Sequence, residues 1–441
     1  MRKLITLLII SAFLAVSCEP EIDNFEPKAG DADFSSYVAL GNSLTAGFMN
    51  GELYKTGQMN SYPSILATKF ETVGGGDFKQ PLMKDELGFG NKQVLGFRTD
   101  CKDSTQMMPV PADGSPSPEN ASPIGDQGPF NNMGVPGAKA FHLIAVAYGQ
   151  ANPYFGRFMS DGNTTILADA MANNPTFFTL WIGSNDVLTY AMEGGEADSI
   201  TSPAMFAGVM QQILQTLTAN GAKGAVANIP DISSLPFFNT VPYNALTLSG
   251  QQAQQLTQGY QQYNQNAEAL GVDKIEFEAG ANALVIEDDS SPYDQLGGIR
   301  QIEEDERILL TIPQDSLKCY GMGSQQPVPD EYVLDGKELD EIQQAIDAYN
   351  QTISSLTSQM GLAKVDIASR LQEAAQDELR YDGVAYTSEF VSGGLFSLDG
   401  IHLTGQGYAI VANEFIEAIN AKYGATVPTA SVTRYEGVHF P

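Results

Sequence analysis

Three short apolar segments recur along the chain, and each one stops at a glycine or a proline. They span residues 37–40, 176–182 and 225–229, and a fourth strand-like segment spans residues 363–367. Apolar runs of this length that end at turn-forming residues are typical of strands buried on both faces of a sheet. Such strands occur in parallel sheets, because crossover helices cover both faces. The helices should therefore lie between these segments.

Helical periodicity is clearest in residues 336–360, where apolar side chains recur every three or four positions. Asp335 and Glu338 have the spacing of a capping box at the start of this helix. Thr404 is positioned to cap a last helix that should end near Tyr423. Because strands alternate with helices, we predict an α/β fold of three layers, with a mainly parallel, flavodoxin-like sheet flanked by helices.

The composition favours one large domain. The chain has 441 residues, of which 43% are hydrophobic, and this is enough for a sizeable buried core. Residues 263–265 and 349–351 share the sequence Tyr-Asn-Gln on predicted helices, but three residues do not indicate a repeat architecture. We predict a single domain at residues 36–425, followed by a C-terminal tail at residues 426–441.

Two loop-rich stretches interrupt the alternation of strands and helices, at about residues 71–130 and 235–335. The first is crowded with Gly, Pro and Asp. The second combines a Gln-rich helical pattern at residues 251–270 with a strand-like segment at residues 273–277. Neither shows the apolar density of an independent core, so we predict that both are insertions decorating the single domain.

The N-terminal residues have the features of a targeting segment. Arg2 and Lys3 precede an apolar run at residues 4–16 that is too short to span a bilayer comfortably. Small residues then lead to Cys18, and this segment resembles a bacterial lipoprotein cleavage box. The resemblance implies that residues 1–17 are a lipoprotein signal peptide and that Cys18 carries the lipid.

The residues after this cysteine predict where the mature protein is held. Residues 18–35 are acidic and contain two prolines, as expected of a tether between lipid and domain. Glu19 does not match the aspartate signal for inner-membrane retention, so we expect an outer membrane lipoprotein that faces the periplasm or the cell surface. Ala15 departs from the usual leucine, which leaves ordinary secretory cleavage open.

The net charge restricts the partners. Lys and Arg total 23 against 53 for Asp and Glu, which gives a formal charge of -30 at pH 7. Such a surface repels phosphate backbones, so nucleic acid is not an expected partner.

Cysteine and histidine are scarce. With Cys18 assigned to lipid, Cys101 and Cys319 remain in a compartment where disulfides persist, and both a disulfide and two free thiols fit the sequence. The three histidines and three cysteines show no zinc-binding spacing, so we predict no metal and no cofactor.

Polar residues follow two of the predicted strands, at the sheet edge where parallel sheets bind ligands. Ser43 follows the first in Gly-Asn-Ser-Leu-Thr-Ala-Gly, and Asn185 follows the second in Gly-Ser-Asn-Asp. Gly137 lies in a Gly-rich turn at residues 131–138 that is able to direct a backbone N–H at a ligand. Each of these segments, taken alone, also fits a purely structural turn.

Near the C-terminus, the sequence Asp399-Gly-Ile-His402 places a carboxylate three residues before an imidazole. Across the glycine, the carboxylate is able to accept the proton of one ring nitrogen and leave the other nitrogen free as a base. His142 lies between two apolar residues and His439 lies near the C-terminus, so we favour His402 as the base.

Together and in this order, the four segments resemble the conserved blocks of the SGNH hydrolases, also called GDSL esterases and lipases. The resemblance spans residues 36–423 and is thin across both insertions. It implies that Ser43 is the nucleophile, that Asp399 and His402 complete a triad, and that Gly137, Asn185 and the Ser43 N–H form an oxyanion hole. Asn42 replaces the usual aspartate of the GDSL block; that position is expected to support the turn, so catalysis should be intact.

The resemblance implies a serine ester hydrolase that works through an acyl-enzyme without a cofactor. The substrate stays open, because a lipid ester and an acetylated glycan fit the same blocks, and a carbohydrate O-deacetylase is an alternative. A non-catalytic surface-binding lipoprotein is a second alternative. An α/β-hydrolase elbow is excluded because position 45 is Thr instead of Gly, and a chymotrypsin-like order is excluded because the serine precedes the histidine.

Overall fold

Five parallel strands form the central sheet in a computed structural model that describes residues 26–196 and 199–441. In chain order they are β1 (Tyr37–Gly41), β2 (Asn132–Gly134), β3 (Phe177–Trp181), β4 (Lys223–Ala227) and β5 (Ala363–Val365), and they lie in the order β5-β4-β3-β1-β2. The predicted α/β class with a parallel sheet is confirmed. The predicted signal peptide and Cys18 lie outside the described residues.

The sheet is buried on both faces, as the apolar segments predicted. Every residue of β1 and β3 is buried, and the two strands pair in register, with Leu40 opposite Leu180. On its other side β1 pairs with β2, where Leu40 lies opposite Met133. The Gly-rich segment that we expected to be only a turn therefore begins with a short edge strand.

Helices pack on both faces of the sheet and share one apolar core with it. Asp335 and Glu338 form the predicted capping box, and the Thr404 hydroxyl accepts from the Gly407 N–H at the start of the last helix. The longer helices are Tyr62–Glu71, Asn185–Met192, Pro203–Thr218, Gly250–Gly259, Gln261–Leu270, Gly336–Gln359, Ile367–Gln376 and Gly405–Tyr423. Shorter helices are Ser43–Ala46, Lys55–Met59, Tyr148–Ala151, Pro153–Phe158, Ile166–Met171, Pro236–Asn239 and Gln314–Cys319.

The first insertion carries a hairpin of strands Gln93–Thr99 and Thr105–Pro111. The second contains short antiparallel pairings, formed by strands Leu246–Leu248, Gly280–Asn282, Val285–Glu287, Ile299–Gln301, Arg307–Ile308 and Val333–Leu334. A disulfide joins Cys101 of the first insertion to Cys319 of the second, so the structure selects the paired alternative.

The second insertion is better packed than its sequence indicated. It contains two apolar clusters of its own, one around Ile286 and Ile308 and one around Tyr263 and Val285. We expected too little apolar density because these residues are scattered over many short segments that only the folded chain brings together.

Two predicted elements of this insertion differ in the structure. Residues 273–277 form no strand, and Asn264 hydrogen-bonds both the N–H and the carbonyl of Ile275. The single predicted helix at residues 251–270 is two helices that meet at Tyr260.

The domain also extends beyond both predicted boundaries. Phe34, placed in the tether by the sequence, is 1% exposed in the central core, and Val432, placed in the tail, is also 1% exposed there. The two ends meet where the Thr426 N–H donates to the Lys28 carbonyl at 2.8 Å. Among the helices of the described residues, none has the length and apolar character needed to cross a membrane.

Candidate active site

Ser43 lies immediately beyond the carboxyl end of β1, at the start of the one-turn helix Ser43–Ala46. The Asn42 side chain caps this helix, because its Oδ1 accepts from the Leu44 N–H at 3.0 Å. Asn42 thus supports the turn, as expected for the residue that replaces the usual aspartate. Ser43 is only 7% exposed, and its Oγ lies 2.8 Å from Nε2 of His402.

His402 is held by the carboxylate three residues before it. Nδ1 of its ring lies 3.0 Å from Oδ2 of Asp399, while the backbone N–H groups of Ile401 and His402 donate to Oδ1 at 2.9 and 2.8 Å. The turn passes through Gly400, whose φ of 71° favours glycine. The carboxylate therefore curls back onto the imidazole, as the spacing predicted.

The environment of Asp399 keeps this carboxylate ionised. Burial raises its pKa, but the charge of His402 and hydrogen bonds from the His402 ring and from the His402 and Ile401 N–H groups outweigh burial, so the pKa lies below its usual value. An ionised Asp399 favours the tautomer of His402 that carries its proton on Nδ1, which leaves Nε2 as the acceptor facing Ser43.

A second support for Asp399 was missed at the sequence level. The Gly51 N–H donates to Asp399 Oδ2 at 2.9 Å, and Asn50 is bonded to the same loop, since its Oδ1 accepts from the Leu398 N–H at 3.1 Å. Both residues have positive φ, 55° at Asn50 and 78° at Gly51. The Asn-Gly pair, a strong turn signal, was visible in the sequence, but its contact with Asp399 was not.

Phe48 packs against the imidazole. Its ring centroid lies 4.6 Å from that of His402, and its carbonyl accepts from the hydroxyl of the buried Tyr408 at 2.6 Å. Helix Gly405–Tyr423 therefore helps to fix Phe48, which packs against His402.

Three potential donors follow three adjacent strands. Ser43 follows β1, Gly137 follows β2, and Asn185 begins the helix after β3. Within the described residues, the backbone N–H groups of Ser43 and Gly137 donate to no protein acceptor. The Asn185 amide nitrogen donates one hydrogen to the Ala138 carbonyl at 3.0 Å, which leaves its second hydrogen available.

Asp186 links the segments that carry Asn185 and Gly137, and it was not identified from the sequence. Its Oδ2 accepts from the Ala140 N–H at 2.8 Å, so it links the helix that begins at Asn185 to the loop that contains Gly137. Burial raises the pKa of Asp186 to about 6, although the bonds to Ala140 and Thr201 oppose that shift. Its position next to Asn185 was the available signal.

The other two histidines lie elsewhere. His142 stacks on Tyr148 with ring centroids 4.0 Å apart, and its Nδ1 accepts from the Lys139 N–H at 3.0 Å. His439 is 80% exposed in its side chain and lies 3.7 Å from Glu436. Residues 26–196 and 199–441 contain no group of three or more His, Cys, Asp or Glu arranged to hold a metal ion.

Comparison with solved structures finds similarity over nearly the whole chain at low identity. An alpha/beta hydrolase enzyme from the metagenome of Lake Arreo, Spain, is 12% identical, with coverage of 88% of this chain and 96% of its own and a TM-score of 0.36. An extracellular lipase from Streptomyces rimosus is 11% identical, with 88% and 98% coverage and a TM-score of 0.34. A lipase/acylhydrolase from Enterococcus faecalis is 9% identical, with 89% and 98% coverage and a TM-score of 0.33.

A search of curated proteins found no match. The sequence profile of the GDSL-like lipase/acylhydrolase family matches residues 37–415, which include all of the site residues described above. Because the structural similarities are weak, the assignment rests on this profile, and the resemblance noted in the sequence is confirmed. The chain belongs to the GDSL-like lipase/acylhydrolase family and is a carboxylic ester hydrolase.

Proposed function

We propose that the protein hydrolyses carboxylic esters through an acyl-enzyme on Ser43, with His402 as general base and Asp399 as its orienting carboxylate. The observation that carries this proposal is the continuous contact from Ser43 Oγ to His402 Nε2, at 2.8 Å, and from His402 Nδ1 to Asp399 Oδ2, at 3.0 Å. Both separations are within the reach required for proton transfer and for orientation of the base.

In the first half-reaction, Ser43 Oγ attacks the ester carbonyl carbon while its proton passes to His402 Nε2. The carbon–oxygen bond to the alcohol then breaks, and His402 returns the proton to the departing alkoxide. Water then attacks the acyl carbon while His402 accepts one of its protons. The bond from that carbon to Ser43 Oγ breaks, His402 returns the proton to Ser43, and the acid is released. Asp399 stays ionised and offsets the charge of the imidazolium.

The oxyanion formed by this attack requires donors, and we assign them to the N–H groups of Ser43 and Gly137 and to the Asn185 amide. Support comes from the absence of a protein acceptor for the first two groups in the described residues and from the second hydrogen of the Asn185 amide.

A serine-directed fluorophosphonate probe tests the nucleophile directly. Wild-type protein should be labelled, Ser43→Ala should not, and Ser358→Ala, a change on the exposed face of helix Gly336–Gln359, should be labelled like wild type. Absence of labelling in the folded wild-type protein would instead favour a non-catalytic surface-binding protein.

We further propose that the protein is a lipoprotein of the bacterial outer membrane, held by a lipid on Cys18. The support is the sequence alone: a basic start, a short apolar run and small residues before the cysteine. Two or more acyl chains give stable anchoring. Cys18→Ala should move the protein out of the membrane fraction, whereas unchanged membrane association would contradict the anchor.

A further inference from the structure

A large cleft opens beside the triad. It has a volume of about 950 Å³ and reaches Asp399 and His402, with Phe48 and Gly51 at the same end. Sites for small molecules commonly measure about 300–1,000 Å³, so this cleft is large for a ligand site. The cleft therefore lies next to the proposed general base.

The cleft runs between the two insertions. Met107 and Met108 of the first insertion's hairpin line one wall, while Val241, Leu246 and Leu284 of the second insertion line the other. Neither insertion forms the cleft alone. The wall residues belong to segments more than 100 positions apart, so the cleft exists only when the insertions are held together.

A covalent link holds them. The disulfide between Cys101 and Cys319 spans 218 positions, with its Cα atoms 6.5 Å apart. Beside it, Arg98 forms an ion pair with Asp315 at 2.8 Å. Exposed ion pairs of this kind contribute little, so the disulfide is the stronger link between the two insertions.

The lining is apolar near the triad and polar near the disulfide. Phe237 and Leu310 are close to the triad turn, because the Phe237 N–H donates to the Gly400 carbonyl and the Leu310 N–H donates to the Phe237 carbonyl. Apart from Asp399 and His402 of the triad, the charged lining residues all lie within four positions of Cys101 or Cys319; they are Arg98, Asp100, Lys102, Asp315 and Lys318. A sugar needs convergent polar partners near the reacting carbonyl, whereas an aliphatic chain fits apolar walls.

From this arrangement we propose that the cleft binds a long aliphatic chain of the ester and that the disulfide-linked insertions set the preference for chain length. The inference rests on the proposed function, since it places the reacting ester at Ser43. The methionines of the hairpin suit this role because their flexible, polarizable side chains adapt to a chain of no fixed shape.

The test is the ratio of kcat/KM for a long-chain ester to that for the acetate, which corrects for any loss of folded protein. With p-nitrophenyl esters, each added methylene should raise kcat/KM up to about fourfold until the apolar part of the cleft is filled. A parallel series of acetate esters of 1-alkanols shows whether the aliphatic chain belongs to the acyl or to the alcohol part. No length dependence in either series would overturn the proposal.

Two variants assign the preference to the cleft. Met107→Asp places a charge in its wall at a side chain that is already 42% exposed, and it should lower the long-to-short ratio at least tenfold. Met205→Asp is the matched control, since Met205 is 48% exposed on helix Pro203–Thr218 and does not line the cleft. The double variant Cys101→Ser/Cys319→Ser should lower the ratio while acetate hydrolysis stays within about twofold.

Binding without turnover separates failure of this inference from failure of the proposed function. Folded Ser43→Ala protein should bind a fluorescent long-chain fatty acid, and Met107→Asp in that background should weaken binding about tenfold while Met205→Asp should not. If wild type hydrolyses no ester but this binding pattern holds, only the proposed function fails. If esters are hydrolysed and Met107→Asp changes neither the ratio nor binding, only the cleft inference fails.

Discussion

Two helices, one in the central domain and one in the second insertion, carry the sequence Tyr-Asn-Gln and use its asparagine in the same way. Asn350 accepts from the Ile229 N–H and donates to the Ile229 carbonyl, both at 2.8 Å. Asn264 makes the same two bonds to Ile275, at 2.8 and 2.9 Å. In each case one asparagine side chain pairs with both the backbone N–H and the backbone carbonyl of a single isoleucine.

The surroundings of the two asparagines differ. Ile229 follows β4, which pairs with β3 on one side and with β5 on the other. Backbone hydrogen bonds between strands therefore fix the residues that lead to Ile229. Ile275 lies in a segment with no strand partner, and the Phe277 N–H also depends on a side chain, the hydroxyl of Thr257. The chain leading to Ile229 is thus held by backbone pairing, whereas the segment around Ile275, in the insertion that lines the cleft, is held by individual side chains. Changes in the insertion should alter substrate preference and leave the chemistry intact.

The largest effect is expected when the proposed general base, His402, is removed. His402→Ala should lower kcat by about 10⁴-fold or more, because no other side chain of the described residues is hydrogen-bonded to Ser43 Oγ. Asp399→Asn should be less damaging, since the aspartate orients and does not itself take the proton. His142→Ala and His439→Ala are the matched controls and should keep nearly full kcat for p-nitrophenyl acetate. A folded His142→Ala protein as inactive as His402→Ala would contradict the assignment.

A smaller effect is expected at the oxyanion donors. Asn185→Ala should lower kcat by roughly 10²- to 10³-fold because it removes one donor to the transition state. The protein should remain folded with a lower thermal unfolding midpoint, because the buried Ala138 carbonyl loses its partner. Asn266→Ala, on the exposed face of an insertion helix, should change neither kcat nor the unfolding midpoint. Turnover of Asn185→Ala near the wild-type value would remove this residue from the site.

Asn264 and Asn350 allow a direct comparison of the second insertion with the central domain. Each Asn→Ala change leaves an N–H and a carbonyl without their partner, which costs about 1–3 kcal/mol where the groups stay buried. Asn350→Ala should therefore lower the free energy of unfolding measured by urea denaturation. Asn264→Ala should lower the long-to-short ester ratio more than it lowers acetate hydrolysis. The contrast between regions fails if Asn264→Ala abolishes acetate hydrolysis in protein that is still folded.

The smallest expected effect lies where the second insertion joins the central domain. Burial raises the pKa of Glu338 to about 8, with Asp335, Asp330 and Glu196 adding like charge. Burial and Glu196 raise the pKa of Asp330 to about 7. Because the folded protein retains these protons to higher pH than the unfolded chain, their contribution to stability is full below the ordinary carboxyl range and is lost as pH rises towards 8.

Glu338→Gln should remove part of this pH dependence and retain the capping box, since glutamine also serves at that position. Relative to wild type, it should be more stable at pH 8 than at pH 5, by about 1 kcal/mol or less because the side chain is partly solvent-screened. Urea denaturation at the two pH values measures the difference, with the exposed Glu304→Gln as control. An equal effect at both pH values would show that the cluster does not couple protons to folding.

The sequence was sufficient wherever the determining contacts are local. Buried strands appear as short apolar runs, and the capping box appears as Asp335 and Glu338 three positions apart. The Asp399–His402 pair is likewise three positions apart, so one tight turn specifies its contact. Ser43 and Asn185 could be predicted to lie at the same edge of the sheet, because each follows a predicted strand and parallel strands present their carboxyl ends at one edge.

The tertiary structure decided every feature that depends on residues distant in sequence. The contact of Gly51 with Asp399 joins positions 348 apart, and the disulfide joins positions 218 apart. Asp186 binds the loop of Gly137 from another strand end, and the second insertion assembles its apolar clusters from scattered short segments. No periodicity or spacing specifies such contacts, because their partners are chosen by the free energy of packing the whole chain. The residues that form the candidate site could thus be predicted from the sequence, whereas the cleft that we propose selects the substrate could not.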